Sequence, residues 1–196
     1  MSGPASMTGR DGARRGILRR FSRDERGVGA IEFAILFPVL LMLYLGAFEL
    51  TVGLSASKRA SRSAGSIADI ISQQSSVTKS ILATMPSVAG AIFAPYSTAG
   101  LTLKITGITI DASGKATVTW SWAQDGTRPY TVGSTVTLPA NMNQASTFLV
   151  RSELALPYQL LSFGANFLPS GTNQITISRQ YYYRQRVGTS ISCSDC

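Results

Sequence analysis

The longest apolar stretch runs from Val28 to Leu54, and between Phe33 and Phe48 no residue carries a charge. About twenty mostly apolar residues at a 1.5 Å rise cross a hydrocarbon core of roughly 30 Å, so residues 28–54 predict a transmembrane helix. Pro38 lies inside it. A proline removes one backbone hydrogen bond and crowds the preceding turn, so a kink that the membrane accommodates is expected there. Past Leu54 the chain becomes polar, yet Ala60, Ala64, Ile67, Ala68 and Ile71 recur at helical spacing. The helix is expected to leave the membrane and continue to about Gln74 with one stripe free to pack. A second helical stretch, residues 77–94, broken near Met85-Pro86, would turn back onto it.

From Ala99 the composition shifts to strand-forming Thr, Val, Ile and Tyr. Leu101, Leu103 and Ile105 alternate with polar residues, and Gly107 signals a bulge that would keep Ile108 and Ile110 in phase with them. Asp111-Ala112-Ser113-Gly114 predicts a turn, and Ala116, Val118, Trp120 and Trp122 alternate on the way back. An irregular connection follows around Asp125–Pro129 and Val132–Ser134. Phe148, Val150, Leu154 and Leu156 share one face of a third strand, with Arg151 and Glu153 on the other and Pro157 as its end. After Gly164 and Pro169-Ser170-Gly171, Gln174 to about Arg186 forms the last strand. The fold class is α+β: a long membrane helix continues outside the membrane and packs on a small antiparallel sheet whose far side is open to water. The chain then divides into 1–27, a basic leader; 28–54, the membrane helix; 55–94, a helical region; and 95–196, the sheet head.

The net charge is +8, and seven arginines stand in the first 26 residues. A cationic segment before an apolar span stays in the cytoplasm under the positive-inside rule. Lys58, Arg59 and Arg62 on the other side oppose this orientation but are outnumbered. A nucleic-acid-binding arm is the competing reading of the leader, and the span that follows it argues for membrane insertion instead. The apolar run exceeds the 7–15 residues usual in a signal peptide, although Ser55-Ala56-Ser57 leaves a cleavage there, with a soluble product, as an alternative. Tyr181-Tyr182-Tyr183-Arg184 could stack on single-stranded nucleic acid. In a strand, however, Tyr181 and Tyr183 face one way and Tyr182 and Arg184 the other, which favours sheet packing and no nucleic-acid partner.

An ionised carboxylate at the bilayer centre costs at least ~2.5 kcal/mol, so the acids flanking the span need a reason. Glu32 and Glu49 are roughly 26 Å apart along a helix and can each reach a membrane boundary. The two cysteines, Cys193 and Cys196, are half a zinc site at most, and the chain has no histidine. In an oxidising compartment they predict a local disulfide, with bonds between chains as the rival arrangement. Without histidine the commonest general base is missing. No nucleophile elbow, phosphate loop or acidic metal cluster appears, so no catalytic residue, metal ligand or cofactor site is assigned.

Gly27, Glu32 and Phe33 at the head of an apolar helix resemble the processing site of type IV prepilins. The wider pattern of Arg26-Gly27, Glu32-Phe33-Ala34, Pro38, Gly46, Phe48-Glu49 and the polar helix around Arg59 and Arg62 is similar to the TadE-like proteins of the tight-adherence (Flp) pilus system. The resemblance implies a pilin-like fold with a periplasmic head and a non-enzymatic minor pilin or pseudopilin held in the bacterial inner membrane. It implies cleavage between Gly27 and Val28 by a prepilin peptidase, and Glu32 as the carboxylate that registers one subunit against the new amine of the next. Its implied partners are that peptidase, other pilins, the inner-membrane assembly platform and the platform's ATPase. The alternative is an unprocessed single-pass envelope protein whose head binds a ligand or surface polymer.

Overall fold

The computed structural model describes residues 27–159 and 174–196. The arginine-rich leader to Arg26 and the expected turns at Gly164 and Pro169–Gly171 lie outside the described residues. The chain divides into two compact units, one ending at Phe48 and the other running from Glu49 to Cys196. Among the described residues, helix α1 (Val28–Ser72) supplies all the α-helical residues of the first. It is followed by β1 (Ser76–Val77), α2 (Lys79–Leu82), α3 (Met85–Phe93), β2 (Thr102–Ile110), β3 (Ala116–Ala123), β4 (Thr147–Gln159), β5 (Gln174–Arg184) and β6 (Ser192–Cys193).

Up to Phe48, α1 shows large apolar side chains on every side, and the helix runs unbroken through Pro38. From Ala56 a stripe takes over in which Ala56, Ala60, Ala64, Ile67, Ala68 and Ile71 are fully buried. These are the residues at helical spacing, and most are small because the sheet comes close. At Gly65 a Cβ would lie 3.5 Å from the Tyr181 ring. The second helical stretch is split, but not at Pro86. The break falls at Ala83-Thr84, and Pro86 occupies the first turn of α3, where its missing N–H has no helical acceptor to lose.

The main sheet is antiparallel with order β3-β2-β4-β5. Leu103, Ile105, Trp120, Trp122, Phe148, Val150, Leu154 and Leu156 line the core with the α1 stripe. Gly107 is required by packing, since a Cβ there would stand 2.5 Å from Trp120 and 2.7 Å from Phe148.

The bulge beside Gly107 lies on the other strand. Gly107 pairs with Trp120 and Ile108 with Val118, so Thr119 is the extra residue, while β2 runs in unbroken register along β4. Ile108 and Ile110 therefore cross to the second face, and Ala116 and Val118 follow them as their partners. There Ile108, Ile110, Ala116 and Leu149 form a smaller core under Val136, Leu138, Met142 and Tyr182. The far side is thus covered at this end by the 124–146 connection. The same connection shields the outer edge of β3, through Val118 N to Ser134 O at 3.0 Å and Val136 N to Ala116 O at 3.0 Å.

Pro157 does not end β4, which continues to Gln159. Pairing with β2 stops at Ala155, so beyond it β4 has, among the described residues, only β5 beside it, and Pro157 sits opposite Thr176 where one side needs no donor. Gly100 makes room for this proline: its φ is +75°, and a Cβ would approach Pro157 Cγ to 2.8 Å.

Candidate functional site

The predicted processing site stands at the head of α1. Gly27 is the first described residue and Val28 the first in the helix. Gly27 has no positive φ, and a Cβ there would meet nothing within 4 Å, so among the described residues nothing in the fold demands glycine. Glu32 is exposed one turn after Val28, and among the described residues no hydrogen bond or ion pair engages it. Around it Ile31, Phe33, Ile35, Leu36 and Phe37 are each about half exposed or more. The Phe33 and Phe37 rings pack along one face at 5.5 Å. Thirteen large apolar residues from Val28 to Phe48 are exposed. At about 1.5–3 kcal/mol for each such side chain kept from apolar surroundings, water is not their medium. By length and composition this helix can cross a membrane as a single-pass anchor.

Glu49 opens the second unit. It is half-buried, and its Oε1 is out of contact with solvent and has no hydrogen-bond partner among the described residues. The three basic residues after the span separate into different roles. Arg59 donates to the carbonyls of Ile92 (3.1 Å) and Ala94 (2.7 Å) and lies 5.2 Å from the Tyr96 ring centroid. It therefore tethers the carboxyl end of α3, where a cation is favoured. Lys58 and Arg62 are exposed.

Cys193 and Cys196 form the expected local disulfide. They end a tail that carries no periodic pattern of its own yet is tied to the head. Arg186 pairs with Asp69 at 2.8 Å, Trp120 donates its indole N–H to Ile191 O at 2.7 Å, and Ile191 is fully buried. Next, β6 lies parallel to β1, and the Asp195 carboxylate accepts the Lys79 amide at 3.0 and 3.1 Å. The donors of Cys193, Asp195 and Cys196 are close enough to share a metal ion. With both sulfurs bonded to each other they offer no thiolate to one. The tyrosine run behaves as strand parity demands: Tyr183 packs on the main core, Tyr181 against Gly65, and Tyr182 on the second-face core.

A polar cluster lies on the second face. Arg151 is 7% exposed, its guanidinium stands 4.3 Å from the Tyr130 ring centroid, and its Nε is 3.3 Å from Glu153. Tyr130 donates to Glu153 at 3.1 Å. Burial first, then that bond and the carboxylate charge, push the Tyr130 phenol above its ordinary range. The sequence placed Arg151 and Glu153 on the outward face, and only the path of the connection brings Tyr130 over them. The cluster includes no nucleophile paired with a base and has no order resembling a catalytic site.

Among families of known proteins, the one described as TadE-like protein matches residues 27–68, roughly a fifth of the chain. No curated protein and no solved structure matches significantly. The segment from Gly27 to Ala68, which carries the exposed apolar helix, both acids and most of the packing stripe, is thus similar to TadE-like proteins.

Proposed function

We propose that this chain is a minor pilin or pseudopilin that takes part in assembling tight-adherence pili for surface adhesion. A prepilin peptidase cuts between Gly27 and Val28, the leader stays cytoplasmic, residues 28–54 anchor the mature chain in the bacterial inner membrane, and residues 55–196 form the periplasmic head. The observation that carries this reading is the match from residue 27 to a helix whose first residue is Val28 and whose large apolar side chains stand exposed. A glycine that the described fold does not need is also consistent with being read by another protein.

The role of the helix head follows from charge. Cleavage gives Val28 an α-amine that is largely protonated at neutral pH, one turn from Glu32 and on the same helix face. In oil each charge lowers the cost of burying the other, provided they meet. With Glu32 unpartnered among the described residues, the amine of a neighbouring pilin can meet it as helices pack side by side. Function is then structural: the helix sets the place among other pilins, on the assembly platform driven by its ATPase, and the head presents a surface.

The test uses two substitutions read in the native host. Gly27→Leu should abolish processing and pilus assembly. Glu32→Ala should leave processing largely intact and deplete the chain from pilus-associated material. If Gly27→Leu changes neither the mass of the protein nor piliation, the chain is an unprocessed envelope protein instead.

A further inference from the structure

Lys58 and Arg62 follow the end of the apolar run at Leu54 by four and eight residues and lie one turn apart on one face of α1. Both are exposed, and among the described residues neither has an ion-pair or hydrogen-bond partner. A third cation comes from the sheet. Arg179 of β5 reaches α1, donating from Nη2 to the Ser57 hydroxyl and from Nη1 to the Ser178 carbonyl at 2.8 Å. Ser57 directly precedes Lys58, so this contact brings a guanidinium to the turn of the helix that carries the ammonium. Arg179 is exposed as well, has no carboxylate partner among the described residues, and keeps further N–H groups to donate.

The acids of the second unit are engaged elsewhere. Asp69 pairs with Arg186, Glu153 with Arg151 and Tyr130, and the Asp195 carboxylate accepts the Lys79 amide. Asp111 and Asp125 accept from their own turns, and Glu49 Oε1 is closed to solvent. The position of the three cations also runs against the charge bias of insertion, which places Lys and Arg on the leader's side of the span. Height narrows what meets them. Along the helix axis Lys58 stands about 6 Å and Arg62 about 12 Å past Leu54, and the headgroup layer on one side of a bilayer is about 5–8 Å deep. Lys58 therefore lies within that layer, and the long Arg62 stem can bend back to it. The strong acceptors there are phosphate oxygens, which a guanidinium binds two at a time and an ammonium as a point charge. In a zwitterionic lipid the phosphate arrives with an ammonium that the collar repels. An anionic lipid brings none.

We propose that Lys58, Arg62 and Arg179 form a cationic collar that holds the phosphate of an anionic phospholipid in the leaflet next to the head. Because Arg179 belongs to β5, the lipid ties the sheet as well as the helix to the bilayer surface. This rests on the membrane placement of α1 and is independent of cleavage at Gly27.

The full-length chain is reconstituted in nanodiscs of equimolar phosphatidylglycerol and phosphatidylethanolamine, released, and its retained lipids are counted by native mass spectrometry. The ratio of phosphatidylglycerol to phosphatidylethanolamine should be at least about fivefold higher for wild type than for the triple variant Lys58→Gln, Arg62→Gln, Arg179→Gln. The leader's arginines are the same in both chains, so their own attraction for anionic lipid cancels. The charge-conserving triple Lys58→Arg, Arg62→Lys, Arg179→Lys should stay within about twofold of wild type. Equal ratios for wild type and the glutamine triple overturn the proposal, and so does an equal loss in both triples, which places the cause outside their charge. Millimolar inorganic phosphate, against chloride at the same ionic strength, should leave the ratio unchanged; if it removes the preference, the collar is a site for soluble phosphate and the lipid reading falls. A chain that fails to enter the nanodisc removes the membrane placement and the proposal with it, whereas one that enters without the preference overturns the proposal alone.

Discussion

The two parts of α1 use the same backbone for opposite ends. Met42 is 77% exposed, whereas Ala64 on the same helix is completely buried. Before Phe48 the side chains are large and face all directions, as in a helix whose solvent is apolar. After Ala56 the inward side chains are mostly small, with Ala60, Ser63, Ala64, Gly65, Ala68 and Ser72 among them, so that a sheet can lie close. The difference teaches that size, and not hydrophobicity alone, separates a surface meant for lipid or other helices from one meant for the chain's own core.

The strongest way to break this contrast is in the head, where space is already filled. Gly107→Val would drive a side chain into Trp120 and Phe148. We expect a loss of about 3 kcal/mol or more, at or beyond the upper end of overpacking costs, seen as a lowered unfolding midpoint of the full chain in detergent micelles. A paired substitution sharpens the contrast within the helix. Ala64→Leu should cost about 1–3 kcal/mol by the same assay, while Leu43→Ala in the exposed part should leave head unfolding unchanged. Equal effects of the two would remove the distinction.

Smaller effects are expected at the carboxyl end. Breaking the Cys193–Cys196 disulfide with Cys193→Ser should cost at most about 2 kcal/mol, because the closed loop is very short. Faster amide exchange at Lys79, which the Asp195 carboxylate holds, should accompany it. The smallest effect is acid sensitivity. Hydrogen bonds from the side chains of Ser113 and Thr127 hold Asp111 and Asp125 below the ordinary carboxylate range. The unfolded chain therefore binds more protons as pH falls below about 3.9, and the stability these groups add is complete above that value and lost below it. Asp111→Asn with Asp125→Asn should flatten that acid limb, as measured by thermal unfolding between pH 2 and 6.

Where local pattern decides structure, the residues were readable. The span, the alanine stripe, the Asp111–Gly114 turn and the outward Arg151 and Glu153 follow from spacing alone. The errors share a cause, which is that the deciding partner is far away in sequence. Gly107 marked the bulge, but Thr119 holds the extra residue, because β4 keeps β2 straight. Pro157 predicts a stop, yet it is harmless once β2 has ended beside it. The β1–β6 pairing joins two-residue strands more than a hundred positions apart, too short to leave any period. At the helix head the sequence supplied Gly27, Val28, Glu32 and Pro38, and the structure added that Glu32 has no partner among the described residues.

The identity of the first residue in membrane-extracted protein tests the account most directly, by intact mass combined with amino-terminal sequencing. A mature chain beginning at Val28 is the predicted result. Recovery of the native protein with its arginine-rich leader still attached would contradict it.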